Sequence, residues 1–471
     1  MRKTKIICTL GPASDSSAVF KKMVKAGLNV ARINFSHGTY EEHLQKINMI
    51  KEVREEMGVP IAIMMDSKGP EIRVKTFKGG KVTLLDGQKF TLTARDVEGT
   101  DKIASVTYPM LSSKIKPGAP VMLNDGFIEL KVLEIKDTDV ICEVVNGGEL
   151  SNRKSINLPG TRIDMPYLSD IDKKDILFGI AQGVDYLAAS FVRNKQDIML
   201  TRNFLIDHGG AEIDIIAKIE NREGVDNIDE IIAASDGIMV ARGDMGVEIP
   251  FVELPAIQKG IIEKCYRAGK KVITATQMLE SMISSPRPTR AEVTDVANAV
   301  YDGTSATMLS GETAVGKYPV QVIKVMADIN AEAEKNTDYR EKFNQFKPQI
   351  KNVSDAVSHA TVSAAFDLNA AAAIVVTRTG TTARMISRFR PEMPIIAAVT
   401  NVKSYHKLAI NWGVFPVQAE LQLDTDDLLK HAADVAKSSG LVKKGDIVTI
   451  TAGIPVVEAG NTNLLKIEKI V

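Results

Sequence analysis

Eight short apolar runs, most of them followed by a stretch with helical spacing, set the strongest limit on what this chain can become. Three come early: KIICTL (5–10), VARINF (30–35) and IAIMMD (61–66), with helical patterns around 16–26 and 40–57 between them. Five come later: YLAASF (186–191), IDIIAKIE (213–220), GIMVARGD (237–244), KVITAT (271–276) and ATMLSGE (306–312). Continuous apolar runs read as strands covered on both faces, and strands that alternate with helices lie parallel. Eight such units predict a closed (β/α)8 barrel, the TIM-barrel architecture.

The rhythm breaks once. From about 70 to 167 the turn signals crowd together at Gly79-Gly80, Asp86-Gly87, Asp125-Gly126 and Gly147-Gly148, with strand-like stretches such as KFTLTA and FIELKVLEI between them. This reads as an inserted all-β lid domain, a small β-barrel over 70–167. The catalytic barrel then comprises 1–69 and 168–345. Residues 336–352 are polar and read as a linker or an exposed helix end. The C-terminal block, 346–471, reads as an open α/β domain, with strands AAAIVV (371–376), PIIAAV (394–399), VFPVQ and DIVTIT (446–451), and a helix from Asp424. A helix over 289–301 carries a capping box at Thr289 and Glu292.

Composition excludes several roles. Lys+Arg and Asp+Glu both total 59, so there is no net charge to favour nucleic acid or a membrane surface. The three cysteines, Cys8, Cys142 and Cys265, lack metal or redox spacing and read as buried small hydrophobes. The N-terminal MRKTKIICTLG has no signal-peptide core, and a cytoplasmic location is expected.

Barrel catalysis gathers where strands end. Those ends supply Arg32, Asn34 and Ser36; Asp66, Ser67 and Lys68; Ser190 and Arg193; Lys218 and Glu220; Arg242 and Asp244; and Thr276. Lys218 and Glu220 are two apart, so they face one side of their strand. Acids and cations converging on one rim suit a hard cation and an anionic substrate. Glu220 and Asp244 suit Mg²⁺, which takes few carboxylates and leaves positions for phosphate oxygens. Taken singly, each residue has a plainer reading. Lys218 and Glu220 form an internal salt bridge, Arg242-Gly243-Asp244 a turn, Asp66 a helix cap, Arg32 a solvated charge and His37 a turn residue. Their joint occurrence at five or six strand ends favours a site.

The stretches NFSHG (34–38), DSKGPEIR (66–73), NLPG (157–160), AKIEN (217–221), MVARGDMGVEIP (239–250), ITATQMLESM (273–282), RPTRAEVTDVANAV (287–300) and MLSGET (308–313) stand in one order along the chain. Together they resemble pyruvate kinase, and the resemblance runs nearly end to end. It implies transfer of a phosphoryl group from phosphoenolpyruvate to ADP, giving ATP and pyruvate. It further implies that Glu220 and Asp244 hold Mg²⁺ (or Mn²⁺), and that Asn34, Ser36, Asp66 and the backbone of Ser67 hold K⁺. Lys218 and Arg32 are then expected at the moving phosphoryl group, and the backbone of Ala241, Arg242 and Gly243 with Thr276 at the substrate carboxylate. Arg73 and Lys154, with His37 and Asn34, are implied on the nucleotide side, and a homotetramer is implied for the assembly. Thr276, through water, is the expected member of the path that protonates the enolate carbon. Departures are few. Ser67 stands for the usual Thr, Met245 for Leu, and Ser305 and Thr307 for Asp and Val, which puts local packing in question. Glu71 is the form that goes with a K⁺ requirement.

A second site is expected at TRTGTTAR (377–384), where Thr377, Thr379, Gly380, Thr381 and Thr382 offer N–H and O–H donors to a phosphate. The plainer reading is a βα turn; the resemblance implies a phosphorylated allosteric effector, with the loop 452–462 beside it. Two other functions remain open from sequence. One is an Mg²⁺-dependent lyase or aldolase working through an enolpyruvate without nucleotide. The other is an inactive sensor of phosphometabolites, against which the intact charged set counts.

Overall fold

The computed structural model describes residues 1–346, 350–455 and 461–471. Eight strands, Lys5–Thr9, Val30–Asn34, Ala62–Asp66, Tyr186–Ala189, Asp214–Ile219, Gly237–Ala241, Lys271–Ala275 and Ala306–Leu309, close into a parallel barrel in chain order. Closure is made by the first strand pairing with the eighth, Lys5 opposite Ala306. Alternation sorts their side chains. Ile6, Cys8, Ala31, Ile33, Ile215 and Ala217 pack with the surrounding helices, whereas Ile7, Val30, Met64, Ile216, Met239, Ile273 and Met308 fill the interior. The helices start where the sequence supplies caps. Thr39 with Glu42, Ser169 with Asp172 and Thr289 with Glu292 each form a complete capping box. Among the described residues no helix is long and apolar enough to cross a membrane.

The segment inserted after the third barrel strand folds as a seven-stranded sheet and a two-stranded one. The larger sheet curls until its edges meet. Val74 bridges Val106, Lys75 N donates to Ser105 O at 2.8 Å, and Thr107 N donates to Arg73 O at 2.9 Å. It has a core of its own, including Phe90, Leu92, Val121, Leu130 and Val140.

The C-terminal sheet runs Val414–Gln418, Ile395–Val399, Ala372–Thr377, Ile447–Ala452, Leu464–Lys469, parallel except for the last strand. Its connection to the barrel lies in 336–352, expected as a linker or an exposed helix end, and is a helix in part, with a buried face. Tyr339–Gln345 is a helix, and Tyr339 and Phe343 sit in the C-terminal core. Their spacing of four makes one apolar face on an otherwise polar segment, enough to dock it. Residues 347–349 of that stretch lie outside the described residues. Ala409 and Ile410, in a short 3-10 turn, join the core inside the barrel and so plug its N-terminal end. Around the plug, Lys407 Nζ donates to Asp214 Oδ1 at 2.6 Å and Tyr186 Oη donates to Lys407 O at 2.6 Å.

Ser305 and Thr307 pack without loss. Ser305 Oγ accepts from Val272 N (3.1 Å) and Arg390 Nη2 (3.0 Å), and Thr307 Oγ1 accepts from Asn330 Nδ2 (3.1 Å). All three cysteines are buried and free.

Candidate active site

The fifth barrel strand ends by directing Lys218 and Glu220 into the same buried space. Lys218 Nζ lies 2.9 Å from Glu220 Oε1, 3.1 Å from Asp66 Oδ1 and 2.7 Å from Ser190 Oγ. Arg32 Nε, from the second strand, donates to Asp66 Oδ2 at 2.8 Å, and Arg32 Nη1 donates to Thr9 Oγ1 at 2.8 Å. Three strand ends thus build a buried row of alternating charge: Arg32, Asp66, Lys218, Glu220.

Burial alone would lower the Lys218 pKa, but Asp66, Glu220 and Asp244 outweigh it and hold the ammonium above its ordinary value. Burial also works against ionised Asp66, yet Arg32 and Lys218 keep its carboxyl below the usual range. Glu220 goes the other way: burial raises it, Lys218 opposes, and the neighbouring Asp244 carboxylate adds to the rise. A site with one carboxylate held ionised and another pushed toward neutrality wants a further positive charge.

Glu220 shows where that charge belongs. Oε2 accepts from Phe191 N at 2.6 Å, and buried Oε1 faces the Lys218 ammonium at 2.9 Å. Asp244 lies in the first turn of the helix Arg242–Glu248 beside it. Two neighbouring carboxylates, one of them buried, suit Mg²⁺. Among the described residues no three His, Cys, Asp or Glu side chains gather as ligands. The expected monovalent set is all oxygen. Asn34 pairs with Asp66 across adjacent strands, and Ser36 N donates to Asn34 Oδ1 at 3.0 Å. Ser67 O accepts from Ser190 Oγ at 2.6 Å. One carboxylate among hard neutral donors fits a singly charged ion better than a divalent one.

Thr276 follows the seventh strand with φ +67°, a costly conformation for a β-branched residue. It presents Oγ1 to Gly243 N, which donates to it at 2.7 Å. The Arg242 side chain is engaged away from this contact. It holds Asp295 at 2.7 and 2.8 Å and the carbonyl of Thr276 at 2.7 Å, so only its backbone is left for a ligand. On the lid side, His37 is held below the ordinary histidine value by burial and by the cations Arg73, Arg32, Lys154 and Lys68. Arg73 also donates to Glu71 Oε2 at 2.6 and 2.9 Å. These groups form a cationic mouth above the rim, the setting a polyphosphate requires.

In the C-terminal domain, Gly380 stands at φ +79° and its N–H donates to Thr377 Oγ1 at 3.0 Å. Thr379 and Thr381 hydroxyls lie 3.0 Å apart, Arg384 Nη2 donates to Thr381 Oγ1 at 3.0 Å, and Thr382 bonds Thr462 at 2.7 Å. The loop 452–462 therefore does reach this turn through Thr462; its residues 456–460 lie outside the described residues.

The family description "Pyruvate kinase, barrel domain" matches residues 1–323, and "Pyruvate kinase, alpha/beta domain" matches 355–468. The chain belongs to the pyruvate kinase family. It is 48% identical to the pyruvate kinase of Geobacillus stearothermophilus over the whole chain and 80% of that protein. It is 46% identical to that of Clostridium acetobutylicum, over 99% of both, and 44% identical to that of Clostridium perfringens, over the full length of both.

Three features of this pyruvate kinase barrel escaped the sequence. Ser190 stands at a strand end, and its hydroxyl accepts from Lys218. The Phe191 amide holds Glu220, with Phe191 at φ +54°, and backbone donors carry no side-chain signal. Thr9, on Arg32, ends the first strand and looked like an ordinary strand residue.

Proposed function

We propose that this chain is a cytoplasmic enzyme that transfers the phosphoryl group of phosphoenolpyruvate to ADP, under control by a phosphorylated metabolite. The observation that carries the reading is the buried row Arg32–Asp66–Lys218–Glu220, which sets two fixed cations beside two buried carboxylates. Phosphoryl transfer asks a protein mainly for position and for charge stabilisation. Lys218 stays charged and steadies the transferring group together with Arg32. Glu220 and Asp244 hold the divalent ion, and Asn34, Ser36, Asp66 and Ser67 hold K⁺. Bound there, these ions supply fixed positive charge to phosphate oxygens. The backbone of Ala241–Gly243 and the Thr276 hydroxyl orient the substrate carboxylate, and His37, Arg73, Lys154 and Asn34 receive the nucleotide. Because Lys218 is committed to three acids, it is no proton donor; Thr276, through water, leads the proton to the enolate carbon.

The units are a barrel of 1–69 and 168–345, a lid of 70–167 that closes over the rim, and a regulatory domain of 346–471. The threonine cluster at 377–382 takes the effector's phosphate, and the assembly is a homotetramer. Formation of ATP and pyruvate in equal amounts from phosphoenolpyruvate and ADP tests the reaction directly. A lyase or aldolase would consume substrate without making ATP. With Glu71 in place, added K⁺ raises the rate; equal rates with and without it would refute the monovalent site.

A further inference from the structure

The lid meets the barrel across a cavity of about 560 Å³ lined by Glu71, Ile163, Phe191, Arg193, Asn221 and Glu248, among others. Packing does not fill this seam, so the polar contacts that cross it set the lid's attitude. Asn157 Nδ2 donates to Glu248 Oε1 at 3.0 Å, and Arg162 comes within 3.8 Å of Glu223. Exposed Arg162 contributes little.

Arg193 is different. Its Nε and Nη2 grip the two oxygens of buried Asp197, each at 3.0 Å. Its Nη1 donates to the carbonyls of Ile163 (3.0 Å) and Met165 (3.1 Å), both on the segment by which the chain returns from lid to barrel. The guanidinium lies 5.8 Å from the ring centre of Tyr167, whose hydroxyl donates to Ser190 O at 3.0 Å. Residues 190–193 therefore form one turn with three tasks. Ser190 Oγ accepts from Lys218, the Phe191 amide donates to Glu220, and Arg193 holds the lid's return hinge.

We propose that Arg193 is a positioning residue that ties the attitude of the lid to the placement of Lys218 and Glu220. The planar fork is essential: one guanidinium spans a carboxylate and two carbonyls at once, and an ammonium cannot. Asp197 aims the fork. Arg193 acts through the turn and touches no substrate.

This rests on the phosphoryl-transfer reading above, and the test separates the two. ATP and pyruvate are measured in parallel for the wild type, Arg193→Lys and Asp197→Asn, with thermal midpoints alongside. In Arg193→Lys, kcat is expected to fall about ten- to a hundredfold, the scale of a misplacement near 1 Å, with a thermal midpoint close to wild type. Pyruvate is expected to exceed ATP, because a loosely set lid lets water take the phosphoryl group as inorganic phosphate. Asp197→Asn, which keeps the fork but not its aim, should show a smaller effect of the same kind. A wild-type kcat in Arg193→Lys overturns the proposal. So does a loss in kcat that tracks a lowered midpoint in both variants while pyruvate and ATP stay equal. A wild type that forms no ATP refutes the functional reading instead.

Discussion

At the scale of single residues, the rim is governed by which charges have partners. Lys218 answers Asp66 and Glu220 at once, so Lys218→Met removes the cation that the proposed reaction sets at the transferring group. The turnover of the variant should fall by at least about 10²–10³-fold, measured as ATP formed. Its fold should survive: Asp66 keeps Arg32, and Glu220, already displaced toward neutrality, takes up a proton. Retained wild-type turnover would remove Lys218 from the reaction. A second residue predicts a pH effect. His406 is buried with Nδ1 lacking a partner, and burial, with Arg54 adding, lowers its pKa to about 4. The unfolded chain then takes the proton first, at the ordinary value near 6.5. Stability from neutral His406 is complete above that value and drains away as pH falls toward 4. His406→Gln should show a smaller drop in thermal midpoint between pH 7 and pH 4.5 than the wild type. An equal drop would show that His406 does not titrate in this window.

At the scale of elements, strand ends and the turns after them carry the chemistry, and their legibility was uneven. The facing of Lys218 and Glu220 followed from period-two alternation, which the sequence displays directly, whereas the register of Asn34 opposite Asp66 did not. The positive φ values at Phe191 and Thr276 did not, because neither residue favours that region and only the surrounding contacts hold it there. The threonine turn at 377–382 is another element whose residues were legible and whose contacts were not. Thr382 is buried against Thr462, whereas Thr379 and Thr381 remain toward solvent. Replacing Thr379 and Thr382 with Ala should abolish the rate response to sugar phosphates while leaving the unstimulated rate within about twofold, a change under 0.5 kcal/mol in barrier. An unchanged response in a titration with sugar phosphates and nucleotides would dismiss the loop as an effector site.

At the scale of the whole molecule, the C-terminal domain completes the barrel. Ile410 is fully buried in the barrel's interior core, beside strands whose other ends carry the site. Truncating it leaves a void that neighbours on closed strands cannot refill. Ile410→Ala should therefore cost about 2–5 kcal/mol in denaturant unfolding. A cost below about 1 kcal/mol would mean that the plug adds little to the barrel. The same turn lies beside the threonine loop: a Cβ at Gly380 would come within 3.0 Å of Leu408. Threonine loop, plug and barrel floor are in physical succession.

The sequence by itself determined the barrel, its strand order, the interrupted insertion and nearly all the rim side chains. Those follow from local periodicity and from the rule that parallel strands present their ends together. Only the tertiary structure decided that the Phe191 amide holds Glu220, that Arg242 turns away to Asp295, and that Ala409 and Ile410 seal the barrel. Each of these depends on residues tens to hundreds of positions apart, whose meeting leaves no periodic trace in the chain.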